Sequence, residues 1–443
     1  MSFVDNLEKM QLAAEKISDN RYLKAVSKGM VMTIPASITG AMCTLIANLP
    51  FGGYQNFIQG NGLKSLLLLP GIFTSNIMGL IVVYFIAFNL AKSYKIDGMF
   101  PGFLAIVSFL ILTPLTTIEQ QVHDTVRPVP FISFDYIGSK GMFVGIIVGL
   151  VVAKLYSWFV KNNITIHMPE SVPSFVEKSF SSIIPFFSIT FLMALVSWGF
   201  TFTSFGSAHN LVYTVLQVPI QKIGGSVGGV MVAYALIGLF WWFGIHGKAI
   251  IFGVYAPIIQ TMTIENMNAA ATGATPPNLV DFGFTSVFLE IGGGGNVLGL
   301  AICFLFFAKS DQYKNIGRIT GIPTFFGINE PITFGTPICL NPLFLLPTVV
   351  TPLITGLIGY FSITSGLVPR MVGAQLPTGT PTFVNAIIAG GWRMMLAQLV
   401  CVIVATAIYF PFFKVADKRE YKREQEAMLA RQEEVGLEVA IAE

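Results

Sequence analysis

A carboxylate at the centre of a membrane-spanning helix costs about 2.5–3.5 kcal/mol, so one found there is a functional candidate by default. Glu330 stands inside a long apolar tract, in the stretch FFGINEP, Phe325 to Pro331. Pro331 removes a backbone donor and disfavours helix at the residue before it. Gly327 and Gly335 loosen the flanks. The segment is expected to form a hairpin tip with free backbone groups around Asn329 and Glu330. A carboxylate in a water-exposed loop between two spans is the alternative, and the long apolar flanks argue against it.

His246, in WWFGIHGKA, is the second candidate. Gly244 and Gly247 permit close backbone approach on either side. A hydrogen-bonded structural histidine at a span end would show the same pattern. Trp242, with Trp241, offers a flat ring to a ligand or serves as an interfacial anchor. Lys248 could meet phosphate or ring oxygens, or extend its ammonium to the membrane surface. Glu290 precedes the run Gly292–Gly295 and Asn296. Such a run, with Gly293 and Asn296 as candidates, either presents backbone donors to a ligand or is a connector.

Other chemistry has no support. GIHGKA lacks the spacing and the hydroxyl of a phosphate-binding loop for nucleotides. His123, His167, His209 and His246 form no metal-ligand pattern, and there is no HExxH, so no metal or cofactor is expected. Cys43, Cys303, Cys339 and Cys401 lie in apolar stretches without a CxxC pair and read as packing residues.

The elements that must position these residues are those of a membrane protein. The 443 residues are 53% hydrophobic and 11% charged, with mean hydropathy +0.70. A soluble domain carries about a quarter charged residues. The net charge of +3 is too small to argue for nucleic acid. Spans of roughly 20 apolar residues are expected at 29–49, 71–91, 98–115, 141–160, 183–205, 227–245, 297–308, 342–361 and 396–413. Two shorter stretches, 250–262 and 383–391, suit re-entrant hairpins or broken helices. Residues 1–28 repeat apolar positions at helical spacing, as in an amphipathic helix on the membrane surface, and not as in a cleavable signal.

The fold class is therefore an all-α polytopic membrane protein with about ten transmembrane helices, re-entrant hairpins and amphipathic helices. Basic residues in the N-terminal segment, after the second and fourth spans, and in the tail put both termini in the cytoplasm. Residues 1–225 read as scaffold or dimer contact. Residues 226–413, where Gly, Pro, Asn and isolated charges interrupt apolar sequence, read as the half holding the substrate path, because irregular backbone at membrane depth needs a protein interior or wet cavity. Residues 414–443 read as a charged cytoplasmic tail.

At LFWWFGIHG and FGINEPITFGTPICLNP the chain resembles the membrane subunit, enzyme IIC, of the bacterial phosphotransferase system, in its lactose, cellobiose and chitobiose branch. YIGSKGMFVGIIVGLVVAKLY and ITIHMPESVPSFVEKSFSSIIP carry the same resemblance, which extends over nearly the whole chain. It implies a homodimer formed through the first half, a bacterial inner-membrane location and a sugar site in the second half. It implies a permease subunit that translocates a sugar, a β-glucoside or a disaccharide such as cellobiose, chitobiose or lactose. Transport is coupled to 6-phosphorylation by phosphorylated enzyme IIB, with IIA and HPr upstream. Glu330 matches the glutamate taken as binder and base at the 6-hydroxyl, and His246 the histidine beside it. Gly327 replaces an asparagine of the family pattern. Thr378, in LPTGTP, stands where many relatives carry a tryptophan near the sugar, and Glu290 where many carry asparagine. No phosphocysteine loop follows residue 413, so IIB is expected as a separate polypeptide, with no enzymatic activity without it. The alternative is a proton-coupled secondary sugar transporter with Glu330 or Glu290 as proton carrier. An intramembrane hydrolase ranks last, for want of a metal constellation or serine dyad.

Overall fold

The apolar runs fold as helices because a chain in hydrocarbon must satisfy its own backbone polar groups. The computed structural model describes residues 20–47, 52–122, 125–169, 172–335, 338–376 and 379–442. Apart from one hairpin, every regular element among them is helical, and the protein is an all-α polytopic membrane protein. Among the described residues five helices are long and apolar enough to cross a membrane, or six if Ala208–Gly224 and Val227–Trp242 make one broken span. Met99–Leu112 and Leu298–Phe307 are apolar but shorter.

Several expected spans are divided, each for a local reason. The 29–49 stretch splits into Arg21–Met32 and Ile34–Ala47. The Thr33 hydroxyl donates to the Met30 carbonyl, and Pro35 sits in the first turn of the second helix, where its missing N–H costs no bond. The 297–308 stretch is helical over only ten residues, Leu298–Phe307. In contrast, the 250–262 stretch, expected to be interrupted, lies in one 25-residue helix, Gly247–Ala271, that runs through Pro257. Prolines are tolerated in apolar helices where the surroundings re-satisfy the backbone. The expected break at 383–391 is present: Gly390 and Gly391 leave helical geometry, the latter at φ 76°. Of the expected amphipathic helix at 1–28, residues 1–19 lie outside the described residues, and the Asn20 side chain caps Arg21–Met32 by accepting from Tyr22 and Leu23.

An antiparallel hairpin, Thr116–Val122 with Thr125–Phe131, was not expected. Its signal is the β-branched content of TTIEQQV and TVRPVPF. Pro128 and Pro130 are compatible with it because each strand of a two-stranded ribbon has a free edge.

The chain forms two compact units. The first comprises Met1–Ser226, Ala249–Asp281 and Val372–Gln375. At its centre Met78–Ser93 packs on Met142–Lys161 through small residues: a Cβ on Gly145 would lie 2.9 Å from the Gly79 carbonyl oxygen, and one on Gly149 2.9 Å from that of Val83. Leu104 and Phe109 fill the same core. Ala256 and Ile264 of the inserted segment pack with Val26, Met30 and Met78.

The second unit comprises Val227–Lys248, Phe282–Met371 and Leu376–Glu443. Its core joins Phe304, Tyr313, Phe344, Tyr409 and Phe413, with the Phe304 and Tyr313 rings stacked at 4.9 Å. Gly299 lets Leu298–Phe307 approach the backbone of Ala405 and Thr406. Every residue of the candidate site described below belongs to this unit.

Candidate functional site

Two turns bring the candidate acid–base pair together. The first ends Val227–Trp242. Gly244, at φ 76°, reverses the backbone, and the next helix starts at Gly247. His246 is held between them, its imidazole 4.6 Å from the Trp241 ring centroid. Gly247 abuts the Ile237 carbonyl so closely that no Cβ would fit, which ties the turn to the preceding helix.

The second turn follows Asp311–Phe325. Gly327, at φ 77°, donates its N–H to Thr324, and Ile328 donates to Pro323, a glycine-type helix stop. Beyond it the structure corrects the expected free hairpin tip. Glu330 opens a short helix, Glu330–Gly335, and the Thr333 N–H bonds the Asn329 carbonyl. Pro331 is compatible with helix here because it lies in the first turn, where an N–H has no helical partner. Asn329 is buried, and its side-chain amide donates to Thr333 Oγ1 at 3.4 Å.

His246 Nε2 and Glu330 Oε1 are 3.6 Å apart, with half of each side chain exposed (50% and 46%). That separation exceeds a hydrogen bond, and both groups can reach one small oxygen placed beside them. Such gaps tighten when a substrate enters.

A glycine loop lies against both turns. Glu290 is followed by three glycines at positive φ, Gly292 (77°), Gly293 (96°) and Gly295 (83°), and by Asn296 at 53°. Gly293 meets Asn329, where a Cβ would come within 2.6 Å of the asparagine Cβ, and Gly294 presses on the Trp241 indole. Asn296 Oδ1 accepts from the Ile291 N–H at 2.8 Å, while Nδ2 donates to the Phe288 carbonyl at 3.1 Å and to Thr355 Oγ1 at 2.6 Å. The Tyr409 hydroxyl donates to the Gly295 carbonyl at 2.7 Å.

Two expected ligand contacts are thereby corrected to supporting roles. Asn296 is fully buried with its amide committed to the loop. Trp242 is 2% exposed and donates its indole N–H to the Asn341 carbonyl at 2.7 Å. Thr378 lies outside the described residues.

Glu290 and Lys248 are paired at 2.6 Å, and the Tyr234 hydroxyl donates to the other Glu290 oxygen at 2.6 Å. Lys248 therefore binds the segment after His246 to the start of the glycine loop. Lys248→Met leaves the Glu290 carboxylate, 19% exposed, without its cation. For a partly solvated pair the expected cost is about 1–2 kcal/mol. Glu290→Gln, which retains an acceptor for Tyr234, should cost less. Thermal unfolding of the two variants in detergent measures the order, and equal shifts would deny the pair a structural role.

Sequence reasoning missed Tyr234 and Tyr409, and did not single out Trp241 from the Trp241–Trp242 pair. Tyr234 and Trp241 are seven residues apart on one helix and so share a face, which is a usable signal. Tyr409 gives none. Among the described residues no three His, Cys, Asp or Glu side chains converge as a metal site requires.

The family model described as "Phosphotransferase system, EIIC" matches residues 27–352. The chain is 34% identical over 429 residues to the "Lichenan permease IIC component" of Bacillus subtilis (strain 168), covering 95% of each. It is 30% identical over 440 residues to the "PTS system lactose-specific EIICB component" of Streptococcus mutans, covering 96% of this chain and 74% of that protein, whose name joins the C and B components. The crystal structure of ChbC, the IIC component of an N,N'-diacetylchitobiose-specific phosphotransferase system, superposes with a TM-score of 0.89 and 34% identity, over 94% of this chain and 98% of that one. These matches do not favour an independent proton-coupled transporter, and with the paired His246 and Glu330 turns they lead to one conclusion: the chain belongs to the EIIC family of phosphotransferase-system sugar permeases.

Proposed function

We propose that this permease binds a β-glucoside or a related disaccharide, such as cellobiose, chitobiose or lactose, and presents its 6-hydroxyl to the phosphocysteine of enzyme IIB. The observation that carries this reading is the 3.6 Å approach of His246 Nε2 to Glu330 Oε1, both half exposed. A hydroxyl between them donates its hydrogen to the carboxylate and accepts from the imidazole. As Glu330 takes the proton, the sugar oxygen forms a bond to phosphorus, the S–P bond breaks, and the cysteine leaves as thiolate. Phosphoryl transfer needs alignment and charge stabilisation more than covalent help, which suits a site of one base, one donor and a rigid backbone.

Asn329 and Lys248 contribute polar contacts to the sugar or the incoming phosphoryl oxygens. Gly247, Gly293, Trp242 and Asn296 shape the site from behind. Thr378 in place of an indole means fewer aromatic contacts to the sugar ring. The first unit forms the contact between two copies of the chain, IIA and HPr feed IIB, and both termini face the cytoplasm of a bacterial inner membrane.

The test is reconstitution. The purified chain with ATP or phosphoenolpyruvate alone is expected to leave labelled cellobiose, chitobiose and lactose unphosphorylated, since it has no nucleotide loop. Addition of phosphorylated IIB is expected to yield the 6-phosphate of one of them. Accumulation of free sugar in vesicles, driven by a proton gradient without IIB, would overturn the reading.

A further inference from the structure

An apolar furrow of about 1160 Å3 lies on the second unit. Three helices wall it at helical spacing. Asp311–Phe325 contributes Arg318, Ile322 and Phe325, and Leu298–Phe307 contributes Leu298, Ile302 and Leu305. The long helix after the Gly390–Gly391 break contributes Leu399, Ile403 and Phe410. Arg318 is the one charged residue among the described lining residues, and it is exposed.

The furrow has two unlike ends. Gly317, beside Arg318, packs on the Leu305 backbone. Two residues further, the Phe307 ring meets Phe410 at 5.3 Å, and the Lys414 ammonium stands 5.1 Å over that same Phe410 ring. Arg318 in the lining and Lys414 beside Phe410 therefore both lie toward the Phe307 end, and neither has a carboxylate within ion-pair distance among the described residues. The other end is closed by Phe325 and Phe383, whose rings are 6.3 Å apart.

We propose that this furrow is a binding site for an anionic phospholipid, with an acyl chain along the apolar walls and the phosphate at Arg318 and Lys414. The charge pattern selects that occupant. A protein helix would leave the two cations facing an apolar surface, and a zwitterionic lipid would bring its own cation to them. Basic groups beside a membrane gain about 1 kcal/mol each from an anionic headgroup. The acyl chain would end against Phe325 and Phe326, the two residues before the Gly327 turn that leads to Glu330.

The experiment uses the full chain in detergent, supplied with phosphatidylglycerol or phosphatidylcholine, with retained lipid counted by native mass spectrometry. The wild type is expected to retain phosphatidylglycerol in clear preference. Arg318→Gln and Lys414→Gln should each lower that preference about fivefold, and together abolish it. Ile322→Trp, which fills the furrow without changing charge, should lower retention of both lipids. Sugar binding should persist in all three single variants, showing that they are folded. Equal retention of the two lipids by the wild type, no retention of either, unchanged preference in Arg318→Gln, or unchanged retention in Ile322→Trp would each overturn the proposal.

Discussion

Glu330→Gln is expected to give a folded, membrane-inserted protein that no longer phosphorylates sugar when phosphorylated IIB is supplied. The side chain is half exposed, and its one ionic neighbour among the described residues is His246, so the amide replaces it with little effect on packing. What is lost is the acceptor for the hydroxyl proton. Removing a positioned base typically costs 10²–10⁴-fold in rate. Sugar affinity should fall as well, because a hydrogen bond to a charged group contributes about 1.5–3 kcal/mol. The informative measurements are a single-turnover rate with phosphorylated IIB and a separate equilibrium titration with sugar. A variant that binds more weakly yet transfers phosphate at the wild-type rate once saturated would retain Glu330 as a sugar ligand and remove it as the base.

Gly293→Val should come close to that loss although residue 293 bears no reacting group. A Cβ there would lie 2.6 Å from Asn329 Cβ and 2.8 Å from its Oδ1, and φ 96° is itself unfavourable to any L side chain. Either the loop or Asn329 must move, and Asn329 adjoins Glu330. A displacement of about 1 Å at a reacting group can cost on the order of 10²-fold in rate. Gly327→Ala is the control. Its φ is 77°, but nothing lies within 4 Å of the added Cβ, so it carries the backbone strain, about 1–2 kcal/mol, without the collision. Phosphorylation rates that fall equally in both variants would mean that strain, and not the contact with Asn329, governs the site.

The legible parts of this site were those where a residue contradicted its surroundings. Glu330 stood out because a carboxylate is costly in an apolar tract, and His246 because two glycines flanked it. Their partnership was not legible, since 84 positions of chain separate them and only the folded turns set the 3.6 Å distance. Nothing in the periodicity of the sequence separates Trp242 from its neighbour Trp241. Adjacent helix positions differ by about 100°, and it is Trp241 that faces His246. Lys248 and Glu290 were both noticed, but each alone, because an ion pair across 42 residues has no local signature. The 250–262 stretch is too short in sequence to read as a simple span, yet it lies inside the Gly247–Ala271 helix, in the 249–281 segment. Its membership of the first unit depends on contacts to Val26, Met30 and Met78 that lie far off in sequence.

The glycine loop has a consequence for how this permease can vary. Every single-base change in a glycine codon that alters the residue introduces a side chain, or ends translation. At Gly292, Gly293 and Gly295 the backbone is left-handed and the space beyond Cα is occupied by Leu298, Asn329 and Thr348 respectively. These three positions thus have no neutral neighbours one mutation away. Asn296 is little better placed: aspartate and histidine tolerate its φ of 53°, yet neither reproduces one acceptor and two donors on a single amide. Variation in sugar preference among descendants of this sequence must therefore enter outside these positions, while the loop is inherited intact.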